Sequence, residues 1–280
     1  MQKYRLKCGV AILVCACMTL VACISPQQRV ATAVIEARRL NEALPLPHRI
    51  DETLTIETAY RVQARIVKHE LAGAQPAGFK AGLTSAPAKA RFRADHPVAG
   101  VLVRDGRKEP GSTLRLSEWP GLNLETEVAF RIGTPIRQRI DNTATLRTHI
   151  DGIAPVVELP ALHFETPTEL SAIDVVAANV GAAAYIVGPF VSPDLRDPNL
   201  VSPRLLCNGA EINRGHARDA LGDQWEAALW LVNTMMEQGW TLESGQILLT
   251  GALGKMVPAT PGDCSAEYGN WGTIVFHLVP

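Results

Sequence analysis

The sequence lacks a surplus of either charge: 27 Lys and Arg stand against 28 Asp and Glu in 280 residues, a formal net charge of -1. Without an excess of Lys and Arg to neutralise phosphates, nucleic acid is excluded as a partner. Aromatic residues are few, 5%, and internal repeats and low-complexity stretches are absent. With 47% hydrophobic and 20% charged residues, collagen-like, coiled-coil and wholly disordered chains are excluded too. Several motifs are also missing. There is no Cys-x-x-Cys, no Gly-x-Ser-x-Gly and no His-Glu-x-x-His, and Gly254-Lys255 follows no upstream glycine at phosphate-loop spacing. Zinc-site, serine-hydrolase and Walker-type readings therefore fail. His69-Glu70 falls on the surface of a predicted helix as a solvated pair. What remains is a globular protein long enough to bury a real core.

The longest hydrophobic stretch lies at the N-terminus. Lys3, Arg5 and Lys7 precede an uncharged apolar run from Gly9 to Ala22, the layout of a secretory signal. The run is shorter than the roughly 20 residues that cross a bilayer as a helix. Leu20-Val21-Ala22-Cys23 resembles the lipobox of bacterial lipoproteins, in which the cysteine is lipidated and becomes the mature N-terminus. The expectation is a signal peptide over 1–22, a lipidated Cys23, and a cell-envelope location facing the periplasm, with the membrane touched only through that anchor. Cys8, Cys15 and Cys17 then leave with the signal, and Cys207 and Cys264 remain. An oxidising envelope permits these two to pair, but the reading the residues favour is two buried free thiols.

Residues 23–50 read as a tether and an N-terminal helix: Ser25-Pro26-Gln27-Gln28 is a polar spacer, and Val30 to Leu44 has helical content before Pro45 and Pro47. Residues 51–280 form the main domain. From Thr55 to Leu71, Ile56, Ala59, Tyr60, Ile66 and Val67 recur at three- and four-residue spacing, which predicts an amphipathic helix. Strands are predicted at Gly78–Leu83, Gly100–Val103, Leu124–Ile132, Ala154–Leu159, Ala182–Val187, Arg204–Asn208, Gln246–Thr250 and Thr273–Leu278. A further helix, Gln224 to Gln238, carries Trp225, Ala228, Leu229, Val232 and Met235/Met236 as a core stripe. Short strands with few helices between them indicate an α+β fold.

Carboxylates carry the chemistry. In Leu124-Glu125-Thr126-Glu127-Val128-Ala129-Phe130 the two glutamates are two residues apart, so on a strand both project from one face. Like charges that close repel unless a cation or proton lies between them. Glu158 stands among hydrophobes in Pro155-Val156-Val157-Glu158-Leu159-Pro160. Three carboxylates on two apolar strands suit a hard divalent ion, Mg²⁺ or Mn²⁺; the alternative is a solvated strand face. Lys80, in Gly78-Phe79-Lys80-Ala81-Gly82-Leu83-Thr84, either snorkels to the surface or faces the same cavity and binds an anionic substrate.

The Gly-Phe-Lys-Ala-Gly-Leu-Thr stretch, the Glu-Thr-Glu strand, Glu158 and Leu249-Thr250-Gly251-Ala252-Leu253-Gly254 follow one another in an order that resembles the 2-keto-4-pentenoate hydratases, of the fumarylacetoacetate-hydrolase-like superfamily. The resemblance runs from about Tyr60 to the C-terminus. It implies a mixed β-roll, a divalent metal held by Glu125, Glu127 and Glu158, a short 2-oxo acid substrate and a homo-oligomer. It further implies Lys80 and Asp95 as catalytic residues, and Asn179, Thr250, Gly251 and Leu253 at the substrate. The activity implied is a metal-dependent lyase, a hydratase adding water to a 2-oxo-4-enoate or its 2-hydroxy-2,4-dienoate tautomer, as in aromatic catabolism. Decarboxylation or acylpyruvate hydrolysis on the same scaffold, or non-catalytic binding of oxo acids in the envelope, are the alternatives. This chain departs from the pattern at Val98, where relatives often carry a second acid. It departs again at Ala177-Ala178-Asn179-Val180-Gly181, where they show Ala-Asp-Asn-Ala-Ser, and at Lys255, where proline is common.

Overall fold

The computed structural model describes residues 25–280; the signal peptide expected over 1–22 and the lipidation expected at Cys23 fall outside the described residues. Ser25-Pro26-Gln27-Gln28 is not a spacer but the start of α1 (Pro26–Leu40). The Ser25 side chain accepts from the Gln28 amide at 3.2 Å, and Pro26 supplies a preset first helical turn. The helix ends at Asn41, in the left-handed conformation with φ 56°, earlier than Leu44. Its stripe of Val30, Ala31, Val34 and Ala37 is buried in the main core.

After the short α2 (Pro47–Ile50), α3 (Ile56–Leu71) begins in a reciprocal cap between Thr55 and Thr58. Ala59, Tyr60, Ile66 and Val67 are buried as the spacing predicts, whereas Ile56, in the first turn, stays exposed. Two polar groups on the buried face fix the neighbouring strand. The Tyr60 hydroxyl accepts from the Ala99 amide at 2.9 Å, and Gln63 Nε2 donates to the carbonyls of Ala99 (2.9 Å) and Val176 (3.1 Å). The remaining helices are α4 (Ala86–Arg91), α5 (Thr143–Arg147), α6 (Ala172–Ala177) and α7 (Gln224–Glu237). Asp223 caps α7 by accepting from the amides of Trp225 and Glu226. Trp225, Ala228, Leu231, Val232 and Met235 of this helix are buried, at roughly 1.5–3 kcal/mol for each large side chain.

The strands are β1 (Gly78–Gly82), β2 (Val98–Leu102), β3 (Arg107–Lys108), β4 (Thr113–Arg115), β5 (Asn123–Ile132), β6 (Ile150–Leu159) and β7 (Ala184–Val187). They continue with β8 (Arg204–Cys207), β9 (Ala210–Arg214), β10 (Ile247–Leu249), β11 (Leu253–Pro258), β12 (Gly262–Glu267) and β13 (Thr273–Val279). One sheet runs β2-β1-β10-β5-β6-β7-β3, with β11 also pairing β5; the other runs β4-β13-β12-β8-β9. Parallel and antiparallel pairs mix in both sheets, so the fold is α+β. The ten-residue strands β5 and β6 pair antiparallel, Glu125 opposite Glu158 and Glu127 opposite Val156.

The two cysteines are not free. Cys207 on β8 and Cys264 on β12 are direct cross-strand partners and form a disulfide, their Cα atoms 4.1 Å apart. They are 57 positions apart, and closing a loop of that length stabilises the fold by about 4 kcal/mol in the loop-entropy picture. Only the register of the second sheet brings them together, which is why the sequence reading missed the bond.

Candidate metal and active site

Alternation along β5 sends Glu125 and Glu127 to one face, and the β5–β6 register sets Glu158 opposite Glu125. One carboxylate oxygen from each lies within 4.8 Å of the others. Glu127 and Glu158 are fully buried and Glu125 is half-buried, opening on a cavity. Thr126, between them, points the other way and donates to the Leu253 carbonyl at 2.9 Å.

Glu127 Oε2 accepts from the Gly251 amide at 2.9 Å. Gly251 has φ 107° and no room for a side chain, since a Cβ there would come 2.5 Å from Thr84. Glu127 Oε1 and Glu158 Oε2 are buried with no hydrogen-bond partner. An orphaned anionic oxygen in the interior costs several kcal/mol, and two in one cluster with a third carboxylate fit a divalent cation held by Glu125, Glu127 and Glu158. Without a cation, Glu125 and Glu127 resist ionisation. Burial, and then the Glu158 carboxylate, push Glu125 up to about 8. Burial, Glu158 and Glu125 raise Glu127 well above the ordinary range.

Lys80, 2% exposed, does not snorkel. Its Nζ donates to Glu158 Oε1 at 2.5 Å and to the Val180 carbonyl at 3.1 Å. Burial alone would lower its pKa, but Glu158, Glu125 and Glu127 outweigh that and hold it above the ordinary lysine range. Lys80 therefore stays positively charged at neutral pH.

The carbonyl that meets Lys80 comes from an unusual turn. Asn179 and Val180 both have φ 53°, a left-handed conformation that costs a β-branched residue about 1–3 kcal/mol. Three ties hold it: Lys80 on Val180, Arg38 Nη2 on the Ala178 carbonyl (2.8 Å), and Asn179 on both backbone groups of Val101 (2.8 and 2.9 Å). Val180 also packs where Gly82 leaves space, since a Cβ at Gly82 would come 2.5 Å from Val180 Cγ1. With Val98 paired opposite Gly82, the wall beside Lys80 is aliphatic.

Several sites expected from the resemblance fall elsewhere. Asp95 is exposed in the turn between α4 and β2 and does not line the cavity, because the chain enters β2 only at Val98. Asn179 is 1% exposed, and its amide pairs with both backbone groups of Val101 and so shapes the turn. The Thr250 hydroxyl lies 2.6 Å from Gln224 Oε1 and 3.1 Å from the Val128 carbonyl. Leu253 is buried in the core, and its carbonyl accepts from Thr126 and Asn213. Gly251 acts on Glu127 through its amide. A residue that sequence reasoning missed is Tyr268: its hydroxyl accepts from the Glu127 amide at 3.1 Å and donates to the Val156 carbonyl. No sequence motif marks it, since it arrives from the other sheet.

The cavity measures about 770 Å³, and Lys80, Glu125, Leu83, Phe92, Leu162 and Val180 are among the residues that line it. Residues 80–279 match the fumarylacetoacetate (FAA) hydrolase C-terminal family. The chain is 27% identical to the 2-keto-4-pentenoate hydratase of Paraburkholderia xenovorans (strain LB400), over 85% of this chain and 90% of the relative. It is 30% identical to the 2-oxo-hept-4-ene-1,7-dioate hydratase of Escherichia coli, over 81% and 88%. Among solved structures, the fold resembles 4-oxalocrotonate decarboxylase from Pseudomonas putida G7, complexed with magnesium and adipate, at a TM-score of 0.84 and 23% identity, covering 90% of this chain and 96% of the other.

Proposed function

The chain belongs to the FAA hydrolase C-terminal family, and on that premise we propose that it is a metal-dependent hydro-lyase, a hydratase adding water to a 2-oxo-4-enoate or its 2-hydroxy-2,4-dienoate tautomer. The observation that carries this reading is the buried Glu125, Glu127 and Glu158 cluster, with its two unpartnered oxygens, beside a charged Lys80. Relatives named as hydratases span most of the chain. An all-carboxylate set selects Mg²⁺ or Mn²⁺, and solved neighbours hold magnesium, calcium or manganese.

The bound cation supplies Lewis acidity toward the 2-oxo group and its adjoining carboxylate. The residues of the chain do the rest. Lys80, tied to Glu158 and the Val180 carbonyl, places a positive charge and a proton donor where the anionic head of the substrate enters. The apolar side chains of Leu83 and Val180 line the same cavity as Lys80. In the overall change the dienol proton is relocated to C5, leaving a C3–C4 double bond conjugated with the 2-oxo group. Water then adds across it, oxygen to C4 and hydrogen to C3.

Incubation of the purified protein and Mg²⁺ with 2-hydroxypenta-2,4-dienoate is expected to bleach the dienol absorbance and yield a 4-hydroxy-2-oxo acid. Absence of metal-dependent loss sinks the reading. Carbon dioxide or two acids as products mark decarboxylation or acylpyruvate hydrolysis instead; the fold likeness to a decarboxylase favours the former as the second reading.

The same proposal assigns residues 1–22 to a signal peptide, 23–50 to the anchored N-terminal segment and 51–280 to the catalytic domain. Lipid at Cys23 would hold the protein in the envelope, facing the periplasm. The Cys207–Cys264 disulfide supports an oxidising compartment. Leu195 and Leu200, 70% and 81% exposed, support assembly as a homo-oligomer. Labelled palmitate is expected to enter the wild-type protein and not Cys23→Ser; equal labelling of both overturns the anchor.

A further inference from the structure

The two strands that carry the three glutamates are tied together by a hydroxyl from outside both of them. Tyr268 is 2% exposed. Its hydroxyl accepts from the Glu127 amide at 3.1 Å and donates to the Val156 carbonyl. Glu127 on β5 and Val156 on β6 are register partners, and two positions along the same pair of strands Glu125 faces Glu158. One side chain therefore grips both strands at the rung of one glutamate and two residues from the rung of the other two.

The phenol arrives from an element that is anchored separately. Tyr268 follows β12 in the second sheet, and its backbone is fixed in the turn to β13. Its amide donates to the Gly272 carbonyl at 2.9 Å, and its carbonyl accepts from the Trp271 amide at 3.2 Å. β12 is in turn paired with β8 and joined to it by the Cys207–Cys264 disulfide. Glu127 is thus held at both ends, by Tyr268 at its backbone amide and by the Gly251 amide at Oε2, 2.9 Å away. Only Oε1 is left without a partner.

That restraint matters because the cluster opposes itself. Three carboxylates with oxygens within 4.8 Å of one another repel when ionised. The repulsion acts across the β5–β6 seam, since Glu158 is on β6 and the other two are on β5. A divalent cation needs all three gathered at once. Ligands that spread apart in its absence must be drawn back in, which subtracts from the binding energy.

We infer that Tyr268 is a positioning residue for the metal site: its hydroxyl holds the β5–β6 seam at Glu127, so that cation affinity depends on a side chain from the other sheet. This inference rests on the metal site of the function proposed above and is independent of which 2-oxo acid that site takes. A tyrosine that only filled the core would add to stability and leave the metal affinity of the folded protein unchanged.

The test uses that difference. Mn²⁺ binding is measured calorimetrically on the wild-type protein, on Tyr268→Phe and on Tyr60→Phe, with thermal unfolding in EDTA as the check on folding. Phenylalanine keeps the ring, and with it the packing, and removes the hydroxyl alone. The Tyr60 hydroxyl accepts from the Ala99 amide at 2.9 Å, on β2, a strand that carries none of the three glutamates. Tyr60→Phe is therefore the control for losing a buried phenol bond to the same sheet. Both variants are expected to unfold at a lower temperature than the wild type. Tyr268→Phe is expected to bind Mn²⁺ about 10–100-fold more weakly, the range for partners outside the ligand set, and Tyr60→Phe to bind it as the wild type does. Wild-type affinity in Tyr268→Phe, or an equal loss in Tyr60→Phe, overturns the positioning role and leaves the metal site and the hydratase reading standing. A wild-type protein that binds no Mn²⁺ overturns the metal site and the positioning role together.

Discussion

Glu127→Gln is expected to abolish measurable Mg²⁺ binding and, with it, turnover, while making the metal-free protein more stable at pH 8. The metal effect follows from the donor set: the variant exchanges one of three anionic ligands for a neutral amide. The loss in affinity should exceed the roughly 10–100-fold that removal of an outer-shell partner costs, and turnover should fall by at least about 100-fold at limiting metal. The stability effect follows from linkage. In the metal-free protein the folded Glu125 carboxyl titrates at about 8 against an ordinary 4.5, and Glu127 is also raised. Between those pH values the folded state holds protons that the unfolded chain releases, so stability falls as pH rises through the window. Thermal unfolding in EDTA should show the wild-type midpoint dropping from pH 5 to pH 8, a smaller drop for the variant, and recovery at pH 8 for the wild type alone when Mg²⁺ is added. A wild-type midpoint that is flat or rises with pH, or a variant that still binds Mg²⁺, rules out the site.

The parts of this site that sequence revealed are those that local periodicity encodes. Glu125 and Glu127 share a face because strands repeat every two residues, and the apolar context of Glu158 marks it as interior before any pairing is known. The eight strands named from sequence all exist, with ends shifted by a few residues, and the stripes of α3 and α7 are buried except for exposed Ile56 and partly buried Leu229 and Met236. What escaped depends on register and on how separate elements meet. The exposed, polar β9 and the bulged β11 lack alternation, and α4, α5 and α6 are too short to show a helical period. The bond between Cys207 and Cys264, and the approach of Tyr268 to Glu127, arise between strands distant in sequence. Asn179 illustrates the limit. The sequence shows a polar residue in an apolar run, and only the structure shows that its amide pairs with both backbone groups of Val101. Asp95 illustrates the reverse, a plausible acid two residues before a proline that lies in solvent because the strand begins three residues later.

Lys80 separates structural from catalytic consequence in a way that one substitution cannot. Lys80→Met is close in volume but leaves the Glu158 carboxylate buried without its cation. Breaking a buried pair by removing one partner costs about 3–5 kcal/mol, so the metal-free variant should unfold at markedly lower denaturant, and activity should fall by about 10²–10⁴-fold with the proton donor gone. The double variant Lys80→Met/Glu158→Gln removes the stranded charge as well and should regain most of the lost stability; because Glu158 is also a metal ligand, this variant is read by stability alone. No destabilisation in the single variant would mean that the Lys80–Glu158 contact is not the one that neutralises the cluster. The Val180 carbonyl gives a second readout, because its left-handed turn is held in part by Lys80. Loss of that tie leaves Arg38 and Asn179 to hold the turn. Amide hydrogen exchange over residues 178–182 should therefore quicken in the single and the double variant alike, since restoring charge balance does not restore the hydrogen bond.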